Sequence, residues 1–282
     1  MLDNLDKFIK KVRGRIFVDI ATDGCGSGCT YCYITEPHRN QTLVNKLELK
    51  SIIKHIDKLI SKNDILSFCP NTEPLKSVDS RSYILNIIEN FKERDVVFQI
   101  STKEFISKEF LENLNLLNTK NPIEILISIP LLEGIDKHEP NAGKLVERLE
   151  NFKSIGGFKN LRSCLYIKPF NNLNIQYKDQ YVDIINNFCP DDICIGLSFS
   201  KDLISPCSTL HDFTKAKELL EVTDMNVIFA FAEYLRQRTC KKIFYSSVCV
   251  LTNNTKSSCI LDLKNNDLRF CKDCSQGEVC NE

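Results

Sequence analysis

Apolar residues along this chain alternate between two spacings. Arg15–Thr22 (RIFVDIAT) is a short apolar run and predicts a strand. It leads into Asp23-Gly24-Cys25-Gly26-Ser27-Gly28, whose glycines predict a loop. Leu47–Ile60 carries Leu47, Leu49, Ile52, Ile53, Ile56, Leu59 and Ile60 at near-helical spacing. Ile65–Phe68 predicts a short strand that stops before Pro70. Arg81–Lys92 predicts a helix with Ile84, Leu85, Ile87, Ile88 and Phe91 inward and Ser80 as its N-cap. Val96–Ile100 reads as a strand and Ser107–Leu117 as a helix. Ile123–Ile129 is a nearly continuous apolar run, the mark of a strand covered on both faces. Gly143–Ser154 predicts a helix stopped by Gly156-Gly157. Leu161–Ile167, Tyr177–Phe188 and Ile193–Ser198 give strand, helix and strand, and Asp224–Gln237 a last long helix.

About six strand–helix units at βαβ spacing predict an α/β fold. Right-handed crossovers place the strands in one parallel sheet, curved into a partial (βα)6 barrel. Residues 1–239 form that barrel in this reading, and residues 240–282 a short cysteine-rich tail. Sites in parallel sheets form at the carboxyl ends of the strands. The unusual residues of this chain fall there.

Composition narrows the chemistry. Lysine plus arginine balance aspartate plus glutamate, so formal net charge is zero. A broad nucleic-acid footprint normally carries a basic excess, so nonspecific phosphate binding is not indicated, although a local groove stays open. Fourteen cysteines are many for 282 residues. The start, Met-Leu-Asp-Asn-Leu-Asp-Lys, has early acids and no apolar segment of the secretory kind. No apolar run reaches the roughly 18 residues of a membrane span. A reducing cytosol follows as the expectation, where clustered cysteines bind metal or do redox chemistry. Ser-His-Asp order, a phosphate-binding Gly-Lys-Ser loop and a dinucleotide fingerprint are all missing.

Cys25-x3-Cys29-x2-Cys32 follows the first strand at once. Three thiolates on a glycine-rich loop can wrap one face of an iron–sulfur cube. Such a cube usually takes four cysteines, so three leave one iron open to an outside ligand. Structural zinc wants four closed ligands and fits this spacing poorly.

This pattern, with Tyr31 just before the third cysteine, resembles the radical S-adenosylmethionine (SAM) superfamily. The resemblance implies a [4Fe-4S] cluster on Cys25, Cys29 and Cys32, with SAM on the open iron. It also implies a 5′-deoxyadenosyl radical that abstracts hydrogen from substrate, and a small electron donor such as flavodoxin or ferredoxin. Asn71-Thr72-Glu73-Pro74 stands where the family carries a Gly-Gly-Glu-like stretch for the SAM amine, keeping Glu-Pro without the glycines. Ser101-Thr102-Lys103 resembles the spore photoproduct lyase-like branch, in which the lysine approaches the SAM carboxylate. Ser128 matches that branch's ribose-contacting serine. Glu139-Pro140 with Arg148-Leu149, and Lys242-Ile243-Phe244-Tyr245 before Cys249, are similar to it too. That branch uses a cysteine after the second strand to return a hydrogen atom. Cys69 lies in this neighbourhood, one position out of register, and is the candidate catalytic thiol. Of the histidines, His138 beside Glu139-Pro140 merits a test.

The tail reads Cys259-x11-Cys271-x2-Cys274-x5-Cys280. Its last three cysteines resemble part of the SPASM pattern for auxiliary iron–sulfur clusters, and the four together also suit zinc. A second cluster, zinc and no metal all stay open. Substrate stays open likewise: a nucleic acid, nucleotide or other small molecule, with a peptide as the alternative if the tail holds a cluster.

Overall fold

The computed structural model describes residues 5–12, 14–20, 25–32, 48–69, 72–170, 172–197, 225–245 and 247. Among the described residues eight strands form one sheet in sequential order. They are β1 (Ile9–Val12), β2 (Arg15–Val18), β3 (Ile65–Phe68), β4 (Val97–Thr102), β5 (Ile123–Ser128), β6 (Leu161–Phe170), β7 (Asp192–Leu197) and β8 (Lys242–Phe244). The helices are α1 (Leu49–Leu59), α2 (Val78–Phe91), α3 (Lys108–Leu116), α4 (Ile135–His138), α5 (Leu145–Ile155), α6 (Lys178–Phe188) and α7 (Met225–Arg236). From β2 to β8 every neighbouring pair is parallel.

β1 was not legible in the sequence. It pairs antiparallel with β2, Ile9 opposite Val18 and Val12 opposite Arg15. Gly14, at φ +80°, turns the chain between them where a side chain would be strained. At the other end the sheet runs on to Phe244, past residue 239 where the sequence reading ends the barrel. Helix starts differ for reasons of capping. α2 begins at Val78 because the Ser77 side chain accepts from the Ser80 amide at 3.2 Å; Ser80 lies inside the helix and is not its cap. Ser107 caps α3 in the same way, accepting from Phe110 N.

The sheet is curved. Ser247, just beyond β8, accepts from Arg15 Nη1 on β2 and, through its carbonyl, from Gln99 Nε2 on β4. In a flat sheet at about 4.8 Å per strand, β2 and β8 would stand about 29 Å apart. Only a curled sheet brings one residue to both, so the architecture is a partial barrel. Its outer face packs against the helices: Ile16, Val18, Leu66, Phe68, Phe98, Ile100, Ile125 and Ile127 meet α1, α2, α3 and α5 side chains such as Ile52, Ile84, Leu111 and Phe152. Each such side chain contributes roughly 1.5–3 kcal/mol by leaving water.

The inner face differs. Leu126, Cys164, Tyr166, Cys194 and Phe244 form a small separate apolar cluster inside the curl. Beside it lies a polar strip. Arg15 donates to Ser67 Oγ and Gln99 Oε1, both at 2.6 Å, and Gln99 donates to Glu124. Burial holds the Glu124 carboxyl well above the usual carboxylate range.

Candidate active site

The parallel strands aim their carboxyl ends at one region, and the loops leaving them carry the candidate residues. Cys25, Cys29 and Cys32 follow β2. Gly26 and Gly28, at φ +60° and +66°, let the loop fold where other residues would be strained. A Cβ on Gly28 would stand 3.3 Å from Asn141 Nδ2, so the loop is seated closely on the 139–141 segment. Backbone bonds hold it there: Thr30 N donates to His138 O at 2.9 Å, and Asn141 N to Ser27 O at 3.3 Å. Thr30 Oγ1 also meets His138 Nδ1 at 2.8 Å, so His138 braces the cysteine loop.

Burial pushes the Cys29 thiol up to about 11, with Lys103 pulling down and Glu139, Cys25 and Cys32 pushing further. Cys25 is raised too, chiefly by burial. Desolvated thiols whose anions repel one another are costly to ionise without a cation, and a metal centre supplies that cation. Three thiols on one loop give one ligand to each of three irons of a cube and leave the fourth open, whereas structural zinc wants four closed ligands, so the donor set fits a three-cysteine cluster better than structural zinc. All eight described cysteines are free thiols.

Glu73, past β3, is buried and accepts from Thr102 Oγ1 at 2.5 Å, Lys103 N at 2.8 Å and Leu75 N at 3.2 Å. Burial outweighs these bonds and lifts its carboxyl to about 7. Lys103, at the end of β4, donates to Tyr31 Oη at 2.5 Å and Glu139 Oε1 at 2.6 Å, and lies 4.9 Å above the Tyr31 ring. Burial brings its ammonium down to about 8, with Cys29 pulling it back up. Tyr31 donates to the same Glu139 oxygen. On the far side Arg148 Nη2 stands 2.6 Å from Glu139 Oε2. Arg148 also donates to Ser128 O at 2.9 Å and Gly143 O at 2.8 Å.

The sequence reading thus names Tyr31, Lys103 and Arg148 one by one, and the fold brings them together on Glu139. In the sequence Glu139 figures only within the Glu139-Pro140 motif; the signal for its role is its place just before the helix that carries Arg148. Ser128 is buried, its hydroxyl donating to Lys168 O at 3.0 Å. Ser101 is half-buried beside Leu126. Thr72 spends its hydroxyl on Asp19 Oδ1 at 3.0 Å. Cys69 sits in the outer core, 1% exposed, with φ +45°. Burial and the nearby Asp19 hold its thiol protonated. Asn71 and the tail cysteines Cys259, Cys271, Cys274 and Cys280 lie outside the described residues. Lys168, which the sequence reading missed, projects from the inner face of β6 in alternation with Cys164 and Tyr166, a period-2 signal already present in the strand.

No family model matches the chain, and no curated protein matches it by sequence. Solved structures do. The fold is similar to that of spore photoproduct lyase and of other radical SAM enzymes. A spore photoproduct lyase Y98F mutant matches at TM-score 0.60 and 12% identity, over 81% of this chain and 76% of that one. Spore photoproduct lyase complexed with dinucleoside spore photoproduct matches at TM-score 0.52 and 16% identity over 64% of this chain; the match spans 55% of that enzyme's length. Native anSMEcpe with bound AdoMet and Cp18Cys peptide matches at TM-score 0.51 and 13% identity, over 93% and 86% of the two chains. Among the described residues no helix is long and apolar enough to cross a membrane.

Proposed function

We propose that this chain is a radical SAM enzyme that holds a [4Fe-4S] cluster on Cys25, Cys29 and Cys32 and binds SAM across the strand ends. Held there and reduced, such a cluster would supply the electron for reductive cleavage of SAM, the source of a radical for hydrogen abstraction from substrate. The observation that carries the reading is the meeting of a three-thiol loop with Glu73 and Lys103 at adjacent strand ends. Glu73 offers a carboxylate for the SAM amine. Lys103, a desolvated ammonium, offers a partner for the SAM carboxylate on trading its bond to Glu139. Tyr31 and Arg148 hold Glu139, so the loop keeps its place during that exchange. The substrate is a nucleic acid, a nucleotide or another small molecule, and a small protein such as flavodoxin or ferredoxin supplies the electron.

The test replaces Cys25, Cys29 and Cys32 together by alanine and measures iron and sulfide beside wild type after anaerobic reconstitution. Wild type should hold about four irons and the variant nearly none. Wild type that takes up no iron, or releases no 5′-deoxyadenosine on reduction with SAM, refutes the reading. A second reading, a peptide-modifying maturase with an auxiliary cluster, draws on the Cys271-x2-Cys274-x5-Cys280 spacing. It predicts that about four irons survive in the triple variant.

A further inference from the structure

Asn151 is fully buried on α5, one helical turn beyond Arg148 and on the same face. A helix face that meets a core is ordinarily apolar, and Phe152 and Ile155 follow that rule here. Asn151 does not. A buried amide is costly unless it is hydrogen-bonded, and this one meets both needs in a single place. Its Oδ1 accepts from Ile106 N and its Nδ2 donates to Glu104 O, both at 2.9 Å. Both are backbone groups of residues 103–106, the link between the end of β4 and the Ser107 cap of α3.

That link begins with Lys103. Its upstream half is fixed from the strand ends: Lys103 N donates to Glu73 Oε2 at 2.8 Å, and Glu104 N to Thr102 Oγ1 at 3.0 Å. Its downstream half is fixed from α5 by Asn151. Gly143 closes over the link, its missing Cβ leaving room for Lys103 O and Phe105 N. The charged end of Lys103 is held through the same helix. Lys103 Nζ meets Glu139 Oε1 at 2.6 Å, and Arg148 Nη2 meets Glu139 Oε2 at 2.6 Å. α5 therefore reaches Lys103 twice, at the backbone through Asn151 and at the ammonium through Arg148 and Glu139. The two anchors lie one turn apart on one helix, so their spacing is constant. A lysine stem is flexible and keeps its charge in one place only when both ends are fixed.

We propose that Asn151 is a positioning residue: by clamping residues 104–106 to α5 it sets where the Lys103 ammonium stands beside Tyr31, and so sets the preference of the site for a ligand that carries a carboxylate. This deepens the radical SAM reading, in which Lys103 takes the SAM carboxylate, and rests on it for the identity of that ligand. Loss of the clamp costs affinity for the carboxylate and leaves the other contacts of the ligand in place.

The experiment compares wild type, Asn151→Leu and Asn151→Asp in the full chain. Leucine is close in volume and removes both bonds. Aspartate keeps the acceptor for Ile106 N and removes the donor to Glu104 O, so it carries the test if the leucine variant does not fold. The first readout, on the chain as purified, is acetylation of Lys103 by acetic anhydride, measured by mass spectrometry against Lys108, which is exposed on α3. The ratio should rise roughly threefold or more in the variants. The second, after anaerobic reconstitution, is affinity for SAM and for decarboxylated SAM by equilibrium dialysis. SAM should bind roughly fivefold or more weakly than to wild type, and decarboxylated SAM should change by less than about twofold. An unchanged acetylation ratio overturns the proposal, because Lys103 would then keep its place without the clamp. So does an equal loss of both ligands, because a residue that merely supports the fold would loosen the whole site. Wild type that binds no SAM, or Lys103→Met that binds it as wild type does, defeats the functional reading and with it the carboxylate preference; the acetylation ratio then decides by itself whether Asn151 positions Lys103.

Discussion

Arg148→Met is the most searching perturbation of the site's frame. Arg148 is 2% exposed and Glu139 is 3% exposed, so neither charge has water to fall back on. The substitution keeps the length of the stem and removes three contacts: the pair with Glu139 Oε2 at 2.6 Å and the bonds to Ser128 O and Gly143 O. Breaking one side of a buried pair costs about 3–5 kcal/mol, since the remaining charge stays buried. Lys103 and Tyr31 still reach Glu139 Oε1, which argues for the lower end. With a urea slope of about 3 kcal/mol/M, a loss of about 3 kcal/mol moves the midpoint down by about 1 M.

The loss should depend on pH in a definite direction. Burial already raises Glu139's carboxyl, and Arg148 is the group that pulls it back. Without Arg148 the folded-state value rises further above the unfolded one. A carboxyl raised on folding stabilises the fold at low pH and loses that contribution as pH climbs through the folded value. The destabilisation of Arg148→Met should therefore shrink on going from pH 8 to pH 5. Adding Glu139→Gln should remove that dependence and recover part of the stability, and the four proteins close a double-mutant cycle. A midpoint unchanged within error at pH 8, equivalent to less than about 1 kcal/mol, would place this pair with surface ion pairs and refute the reasoning.

Three further outcomes follow from the same geometry. Glu73 titrates at about 7, so SAM affinity measured by equilibrium dialysis should fall as pH drops from 8 to 6 and the carboxylate is lost; Glu73→Gln should bind weakly with a flat profile, and a wild-type profile equally flat would rule the role out. Gly143→Ala puts a Cβ 2.8 Å from Lys103 O and 3.1 Å from Phe105 N, both backbone atoms that cannot swing aside; a loss of about 1–3 kcal/mol in urea unfolding is expected, and an unchanged midpoint would mean the segment yields freely. His138→Ala removes the ring that meets Thr30 Oγ1 at 2.8 Å, and iron should be lost faster to a chelator than from wild type, with iron content at saturation unchanged; equal rates would show that the backbone bonds alone hold the loop.

The fold was legible where apolar periodicity was strong. α1 and α3 and the strands β3, β5 and β6 announce themselves because each buries a continuous or amphipathic run. β1 did not, since the two adjacent lysines of Ile9-Lys10-Lys11-Val12 break period-2 alternation and the strand gains its order from pairing with β2. The cysteine loop was legible because its spacing is local, as was the Glu73 and Lys103 pair by position after strands. What the chain could not reveal was convergence. Glu139 and Lys103 are far apart in sequence and meet through tertiary packing alone. Cys69 shows the same limit: being next to a strand end says nothing of which face a side chain takes, and its thiol joins the outer core while Cys164 and Cys194 line the inner one.

The placement of Glu139 also bears on how binding and folding are linked. It ties β4 through Lys103, α5 through Arg148 and the cysteine loop through Tyr31, while nearby His138 accepts a backbone bond from that same loop and Asn141 donates one to it. A group bound by the three thiols adds its binding free energy to a segment already latched to the sheet and to α5. Binding to the folded chain alone stabilises it by mass action. The increment should therefore reach α5 and β4, well beyond the loop. Hydrogen exchange on wild type with and without the reconstituted cluster checks this: protection should rise in residues 145–155 and 97–102 together with the loop. Protection confined to residues 25–32 would mean that the Glu139 junction transmits nothing and serves only to neutralise charge.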